Sequence, residues 1–396
     1  MGIDIKTAEA LTSQETRETL ALFRNLPDDP LAIQKSFRGM FPEKLARAMV
    51  DLRLLRRRAA QKFERGMDMF FTKPQLEQSS SEVVARYRAA RIAGTGAKVA
   101  FDPCCGIGSD AIALAAAGLR VEAGDLDEIA VHFARVNAEV YGLNGQLTVQ
   151  VADCENQPPA GGAAIFLDPA RRKGARRIIN PAEWSPSPKA VSAMLAGRLT
   201  AAVKLSPAVE LEELLTFFPP PDEIEVISFL GEAKETVFWY GAAAGKEPRR
   251  ATILPSGESF AGPAHPQAEV GTLGKWIFDP DPALVRSGLL GGFAAQHGLK
   301  VLDPEIGYLT GPKRVKSPFV DAFKVVDEQP LDPRKMRAAL RDHGVGELLI
   351  RKRGIAERPQ TLSQRFLPKP FGTRRMTLLA VRLGDRHVGI LGEAAE

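Results

Sequence analysis

Residues 101–118 read FDPCCGIGSDAIALAAAG and contain a Gly-x-Gly-x-x-Ala step formed by Gly106, Gly108 and Ala111. Such a step turns the chain tightly out of a β-strand and into an α-helix. The free N–H groups at the start of that helix can face an anion or a ribose. The stretch therefore predicts a nucleotide-type ligand on an open α/β sheet, and the residues around it decide which ligand.

Short apolar strands alternate with helices from residue 97 onward. The strands read KVAFD, RVEAGD, QLTVQVAD, AAIFLD and TAAVKLS, and helical stretches follow Ser109, Asp127, Ser187 and Val209. This alternation is typical of a parallel sheet covered on both faces. The series ends with EIEVISFLG, a short turn and TVFWYG, which predict a hairpin whose antiparallel strand closes the sheet. The fold class is therefore α/β with a Rossmann-like sheet.

Acidic residues stand at the ends of three of these strands. A dehydrogenase places its glycines directly after the first strand, whereas here Asp102 ends that strand and three residues precede Gly106. A carboxylate at this position can accept hydrogen bonds from an ammonium group, which a dinucleotide lacks. Asp125 ends the second strand, where it can bind both ribose hydroxyls, and Asp153 follows the third, where it can meet an adenine amine. This set favours S-adenosylmethionine over NAD.

The flanking segments differ in character from this central part. We expect a helical domain over residues 1–75, the sheet domain over 76–245, a Gly- and Pro-rich connecting region over 246–330 and a compact α/β module over 331–396. The second long helix of the first domain carries a group of arginines: Arg53, Arg56, Arg57 and Arg58. We interpret these as the solvent-exposed side of that helix in preference to a nucleic-acid contact.

Composition excludes several classes of protein. The chain of 396 residues is 44% hydrophobic and 26% charged, which is typical of a globular protein with an ample core. No stretch approaches about 18 uncharged apolar residues, so no membrane span is predicted. The start of the chain has no signal-peptide pattern, and we expect a cytoplasmic protein. The three cysteines and five scattered histidines have no metal-ligand spacing, so no metal is expected.

Positive charge is concentrated in the last module. Residues 331–396 hold fourteen Lys/Arg against seven Asp/Glu, although the whole chain carries only +5. A basic module attached to a near-neutral body suggests a polyanionic partner such as RNA. The alternative is a solvated basic surface without a partner.

Four stretches resemble the class I S-adenosylmethionine-dependent methyltransferases, and within them the RNA cap guanine-N2 methyltransferase-like group: FDPCCGIGSDAIALA, VEAGDLDEIAVHFARVNAEVYG, AAIFLDPARR and FFTKPQLEQSSSEVVA. The segments LLIRKRG and RRMTLLAVRLG resemble the THUMP-like domain found at the C-terminus of bacterial members.

The resemblance implies a role for individual residues. It places the methionine part of the cofactor on Asp102, Gly106 and Gly108, the ribose on Asp125 and the adenine on Asp153. It also implies that the segment around Thr72 closes over the cofactor. Asp127 could share the ribose, but we favour its role as the N-cap of the following helix.

The sequence LDPARR after the fourth strand is the catalytic candidate. In amine methyltransferases of this fold, an acidic or amide residue followed by Pro-Pro-aromatic holds the acceptor amine. Asp168 and Pro169 match this motif, whereas Ala170 and Arg171 depart from it, which leaves the methylated atom open. Because a guanidinium can stack on a base or bind phosphate, we expect Arg171 and the adjoining Arg172 and Lys173 to contact substrate. The alternative is that Asp168 only caps a turn.

Three functional hypotheses follow from these patterns. The leading one is an S-adenosylmethionine-dependent methyltransferase acting on a base amine of RNA. The others are a methyltransferase acting on a small molecule or protein, and a catalytically inactive RNA-binding protein. A cysteine nucleophile is disfavoured, because Cys104 and Cys105 lie in the cofactor loop and not after the fourth strand.

Overall fold

The computed structural model describes residues 3–24, 29–156, 163–170, 172–173, 176–177, 180–264 and 266–395. The chain divides into two compact units, Met1–Ile224 with Glu235–Lys246, and Glu225–Lys234 with Glu247–Glu396. Among the helices of the described residues, none has the length and apolar character needed to cross a bilayer.

Unit 1 begins with helices and continues as an α/β sheet. Its helices are α1 (Ile5–Leu11), α2 (Gln14–Leu22), α3 (Pro30–Arg38), α4 (Glu43–Ala59), α5 (Lys73–Gln78), α6 (Glu82–Ala93), α7 (Ser109–Ala116), α8 (Glu128–Val140), α9 (Pro188–Leu195) and α10 (Leu211–Phe217). Its strands are β1 (Val99–Asp102), β2 (Arg120–Asp125), β3 (Leu147–Val151), β4 (Ala164–Leu167), β5 (Arg172–Lys173), β6 (Arg176–Arg177) and β7 (Thr200–Leu205). The hairpin strands β8 (Glu223–Phe229) and β9 (Glu232–Gly241) are each divided between the two units.

The sheet of unit 1 confirms the predicted Rossmann-like fold. Strands run in the order β3-β2-β1-β4-β7-β9, with parallel pairing as far as β7. Strand β9 pairs antiparallel with β7, so the closing antiparallel strand is also confirmed. The strand order reverses between β1 and β4. In open α/β sheets, ligands bind at the carboxyl ends of the strands at such a reversal.

The helical part of unit 1 differs from the sequence expectation at α4. Apolar residues of α4 enter the core as expected, with Met49 and Leu52 fully buried. Arg53 and Arg56, interpreted as solvent-exposed, are buried as well, while Arg57 and Arg58 are exposed. The interpretation is wrong for the two buried residues because they lie one turn apart beside the apolar face.

Unit 2 contains nine further strands among the described residues, and seven of them form one sheet. Its strands are β10 (Arg249–Leu254), β11 (Glu258–Gly262), β12 (Trp276–Pro280), β13 (Lys300–Val301), β14 (Leu309–Gly311), β15 (Val320–Pro330), β16 (Val345–Arg353), β17 (Arg374–Leu383) and β18 (Arg386–Ala394). Its helices are α11 (Pro282–Arg286), α12 (Leu290–His297), α13 (Pro333–Asp342) and α14 (Pro359–Phe366). The order of the seven-stranded sheet is β13-β14-β12-β15-β18-β17-β16, so strands β12 to β15 of residues 246–330, expected as a connecting region, share one sheet with the strands of residues 331–396, whereas β10 and β11 lie outside it.

Candidate active site

The glycine loop between β1 and α7 has the conformation that its sequence predicts. Gly106 and Gly108 have φ angles of +53° and +86°, in the left-handed region that side-chain-bearing residues rarely adopt. A Cβ at Gly108 would also lie 3.2 Å from the Cβ of Ala134 on α8. The Gly106 N–H donates to Asp125 Oδ2 at 2.9 Å, which ties the loop to the end of β2.

A cleft of about 330 Å³ opens at the carboxyl edge of the sheet. It is lined by Gln75, Glu77 and Gln78 of α5, by the loop Cys104–Ile107, by the start of α7, by Asp125 and by residues 168–170. The structure therefore brings the predicted residues Gly106, Asp125, Asp168 and Pro169 to one cleft. Asp102, Gly108, Thr72 and Asp153 do not line it directly.

Asp102 lies at the end of β1 and is almost completely buried. Its Oδ1 accepts a hydrogen bond from the Cys104 N–H at 3.3 Å, while Oδ2 has no hydrogen-bond partner among the described residues. Burial raises the pKa of this carboxyl well above its usual value, and the nearby Asp110 raises it further. A buried acceptor without a donor is costly, and a cationic ligand would satisfy it.

Asp125 at the end of β2 is held by main-chain donors. Its Oδ1 accepts from the Asp127 N–H and its Oδ2 from the Gly106 N–H, both at 2.9 Å. Burial raises the pKa of Asp125, and these hydrogen bonds oppose that rise. Asp127 caps α8 by accepting from the Ile129 N–H at 2.9 Å, as we favoured from sequence.

Thr72 and Asp153 take part in local structure. The Thr72 N–H and hydroxyl both donate to Gln75 Oε1, at 2.9 and 3.0 Å, at the start of α5. Thr72 is thus the N-cap of the short helix α5, and residues of that helix line the cleft. Asp153 lies two residues beyond β3 and accepts from the Glu155 N–H at 3.0 Å and from Asn156 Nδ2 at 2.8 Å.

Asp168 follows β4, next to β1 in the sheet, and forms an ion pair with Lys204 on β7. The Lys204 side chain is only 8% exposed and that of Asp168 is 23% exposed. Sequence analysis missed Lys204. The one signal for it was a lysine within the apolar strand TAAVKLS, because a buried lysine nearly always has a partner.

A second cluster of buried charged residues is centred on Arg88 of α6 and includes Asp110, which also lines the cleft. The Arg88 guanidinium forms ion pairs with Asp110 and Glu235 and donates to Ser80 Oγ at 2.9 Å. Ser80 in turn donates to Asp110 Oδ2 at 2.7 Å. Burial opposes ionisation of Asp110, but Arg88 and Lys204 outweigh it and lower its pKa. The cluster fixes the start of α7 against the segment after α5.

The basic segment after Pro169 forms a separate hairpin. Strands β5 and β6 pair antiparallel, with Arg172 opposite Arg177 and Lys173 opposite Arg176. At the base of the segment, the Ala170 N–H donates to the Ser185 carbonyl at 2.6 Å and the Ser185 N–H donates to the Ala170 carbonyl at 3.2 Å. Arg171 lies outside the described residues, and so do the side chains of Arg172 and Lys173.

The cysteines near the cleft have the character of buried thiols. Burial raises the pKa of Cys105 well above its usual value. Hydrogen bonding to Cys154, together with burial, raises the pKa of Cys104. Since the thiolate is the nucleophilic form, this environment agrees with the interpretation that disfavours a cysteine nucleophile. Within the described ranges, no group of His, Cys, Asp and Glu side chains could hold a metal ion.

An open parallel sheet with a closing antiparallel strand, a glycine loop after β1 and acids at the ends of β1 and β2 defines the class of Rossmann-like methyltransferases. Over 347 residues, the chain is 35% identical to an uncharacterized S-adenosylmethionine-dependent methyltransferase of Mycobacterium tuberculosis, and the match covers 85% of this chain and 92% of that protein. The chain belongs to the family of S-adenosylmethionine-dependent methyltransferases, and S-adenosylmethionine is its cofactor.

Further similarities concern parts of the chain or the fold alone. Residues 97–206 match the family model of RNA cap guanine-N2 methyltransferase, and residues 320–394 match that of the THUMP domain-like family. An uncharacterized RNA methyltransferase of Parasynechococcus marenigrum is 29% identical over 168 residues, which are 40% of this chain and 35% of that protein. A crystal structure of a proposed methyltransferase from Porphyromonas gingivalis W83 has the same fold, with a TM-score of 0.75 at 22% identity and full coverage of both chains.

Proposed function

We propose that this methyltransferase transfers a methyl group to an amine on a base of RNA. The main evidence for this reaction is the position of the Asp168 carboxylate. It pairs with Lys204 and lines the same cleft as Asp125. The RNA substrate is supported by the family model matched over residues 97–206 and by the partly matching cyanobacterial relative, which is described as an RNA methyltransferase.

The residues in and next to the cleft fit the cofactor. Asp102 offers a buried oxygen without a donor, which suits the ammonium group of the methionine part. Asp125 keeps a second lone pair on each oxygen for the ribose hydroxyls. A Cβ at Gly106 would meet no atom within 4 Å, so the loop leaves open space above it. When bound, S-adenosylmethionine supplies an electrophilic methyl group on a sulfonium.

Three predicted cofactor residues have a more limited role in this proposal. Asp153 would meet the adenine with the acceptor capacity that remains beside its two local hydrogen bonds. Thr72 would act through α5, whose first turn it fixes by bonding to Gln75. Gly108 would shape the loop without touching the methionine part, because its Cβ position faces Ala134 on α8.

Asp168 would orient the acceptor amine. Its carboxylate accepts a hydrogen bond from the amine N–H and so directs the nitrogen lone pair toward the methyl group. It also stabilises the positive charge that develops on nitrogen, an effect that is stronger in the transition state than in the ground state. Pro169 fixes the main chain after it, and the basic hairpin of β5 and β6 provides charges for a substrate phosphate.

The C-terminal module would add affinity for the RNA backbone, although less of its charge is free to bind phosphate than its composition suggests. Several of its arginines are neutralised in ion pairs, including Arg353 with Asp279, Arg374 with Glu393 and Arg382 with Glu305. Exposed positive charge remains on α13, where Arg334 and Lys335 form no ion pair with any described residue. This helix is the part of the module that we expect to contact phosphates.

The proposal is tested by transfer of labelled methyl groups. Purified protein is incubated with tritiated S-adenosylmethionine and RNA from a strain lacking this gene, and the RNA is digested to nucleosides. We expect label in one base-methylated nucleoside, and labelling that is slower by about 10²-fold or more with the Asp168→Ala variant. Label in protein or small molecules but not in RNA would support the alternative substrates. No transfer to any acceptor, despite cofactor binding, would contradict the proposal.

A further inference from the structure

A second pocket, of about 260 Å³, lies among the N-terminal helices of unit 1 and shares no lining residue with the cleft. Four of its lining residues are arginines: Arg17, Arg24, Arg53 and Arg56. Asp68 is the only acidic residue among the described residues that line it, so arginines outnumber acids in this lining. We call this the arginine pocket.

The two arginines from α4 are buried and oriented by the main chain. Arg53 is 4% exposed and Arg56 is 8% exposed. Arg53 Nε donates to the Phe23 carbonyl at 3.0 Å, and Arg56 Nε and Nη2 donate to the carbonyls of Met69 and Asp68 at 3.0 and 3.1 Å. For Arg56, these carbonyl acceptors hold the guanidinium in place without neutralising its charge.

The two arginines from α2 and its end have acidic partners at the rim. Arg24 pairs with Asp68, and Arg17 pairs with Glu139 at 3.3 Å. The side chains of Arg17 and Arg24 remain 37% and 43% exposed, so they border the opening of the pocket. A ligand that enters would therefore meet them first.

The cations of this pocket repel one another. The pKa of Arg56 is lowered to about 10, mainly by burial and in addition by the charges of Arg24 and Arg17, against an opposing effect of Asp68. An anion in the pocket would relieve both the desolvation and the repulsion. The guanidiniums of Arg17 and Arg56 also lie 5.4 and 4.7 Å from the ring centroid of Phe70, which limits their orientations.

We propose that the arginine pocket binds a phosphate group of a nucleotide, either free or within an RNA chain. Phosphate is the anion whose oxygens match the planar donor fork of arginine. Leu20, Met67 and Val140 contribute apolar lining beside the arginines, which suits the sugar or base attached to the phosphate. This inference does not depend on RNA being the methylated substrate.

The test uses the full-length protein with S-adenosylhomocysteine present, so that the cleft is occupied. Inorganic phosphate, adenosine monophosphate and a short single-stranded RNA are titrated by calorimetry. Arg17→Gln and Arg24→Gln each remove one half-exposed charge from the pocket. Arg47→Gln is the matched control, because it removes an exposed α4 charge that pairs with Glu43 outside the pocket.

We expect inorganic phosphate and the nucleotide to bind, and each pocket variant to raise the Kd at least about fivefold, as for loss of one charge-assisted hydrogen bond. The control should stay within about twofold. A parallel loss of RNA affinity assigns the phosphate to RNA, whereas unchanged RNA affinity assigns it to a free nucleotide. Absence of phosphate binding, or an equal effect of Arg47→Gln, would overturn the proposal.

Discussion

Replacing Asp168 by alanine should separate the catalytic role of its carboxylate from its role as the partner of Lys204. The carboxylate is the group that we expect to stabilise the charge developing on the acceptor nitrogen. Loss of one such preorganised group lowers kcat by about 10²-fold or more, or about 2.7 kcal/mol in the barrier. Asp168→Asn keeps an acceptor for the lysine but loses the charge, so its kcat should fall by less.

The structural cost of the same substitution follows from the exposure of the pair. Breaking a fully buried ion pair costs about 3–5 kcal/mol. Asp168 is 23% exposed, and Lys204 also interacts with Asp110 and Glu235, so both effects reduce the loss. We therefore expect the free energy of unfolding of Asp168→Ala to fall by about 1–2 kcal/mol.

A double variant distinguishes the two roles. Asp168→Ala with Lys204→Met removes the uncompensated cation, so stability in urea should recover while kcat stays low. Cofactor affinity, measured by calorimetry, should stay within about threefold, since Asp102 and Asp125 are unchanged. A wild-type kcat in Asp168→Ala would show that Asp168 only caps a turn and has no catalytic role. Recovery of kcat in the double variant would show that the single variant fails because its lysine is misplaced.

Three further predictions concern the cofactor and the RNA. Asp125→Ala should weaken binding of S-adenosylhomocysteine by about 1.5–3 kcal/mol through lost charge-assisted bonds, whereas Asp127→Ala should mainly cost about 1 kcal/mol of stability at the helix cap. An unchanged affinity of Asp125→Ala in calorimetry would move the ribose to Asp127. The folded-state pKa of Asp102 is raised above its unfolded value, so the cofactor-free protein should lose stability as pH rises from the unfolded pKa through the folded one. Asp102→Asn should abolish this pH-dependent loss of stability, measured by urea unfolding at several pH values, and should weaken cofactor binding. An unchanged pH dependence of stability would contradict the assignment. Arg334→Gln with Lys335→Gln should lower RNA affinity and reduce the salt dependence by about one ion for each phosphate that the variant no longer binds, without changing cofactor affinity; an unaltered salt slope in filter binding would exclude α13 from the interface.

The sheet and its ligand-binding loop could be predicted from sequence because their signals are local. The glycines, the strand-end acids and the alternation of strands and helices each lie within a short window. Asp102, Asp125 and Asp168 follow from this pattern, because parallel strands place their carboxyl ends at one edge. The donors that these carboxylate oxygens accept from, such as the Gly106 N–H at Asp125, could be identified only from the structure.

The partners of the buried charges could not be predicted in this way. Arg88 and Glu235 are 147 positions apart, and Asp168 and Lys204 are 36 apart. No local period connects such residues, because their contact is produced by the strand order. Arg53 also illustrates this limit, since helical spacing marks an apolar face but does not show that an adjacent arginine is covered by other helices.

The paired main chains of Ala170 and Ser185 have a consequence for how this scaffold can change. The excursion between them begins directly after Asp168 and Pro169 and is closed at its base by two hydrogen bonds. We therefore expect the position of the Asp168 carboxylate to tolerate changes of length or composition between these two residues. Under the proposed function, related enzymes can then differ in this segment, and so in the acceptor that it contacts, while Asp168 keeps its place.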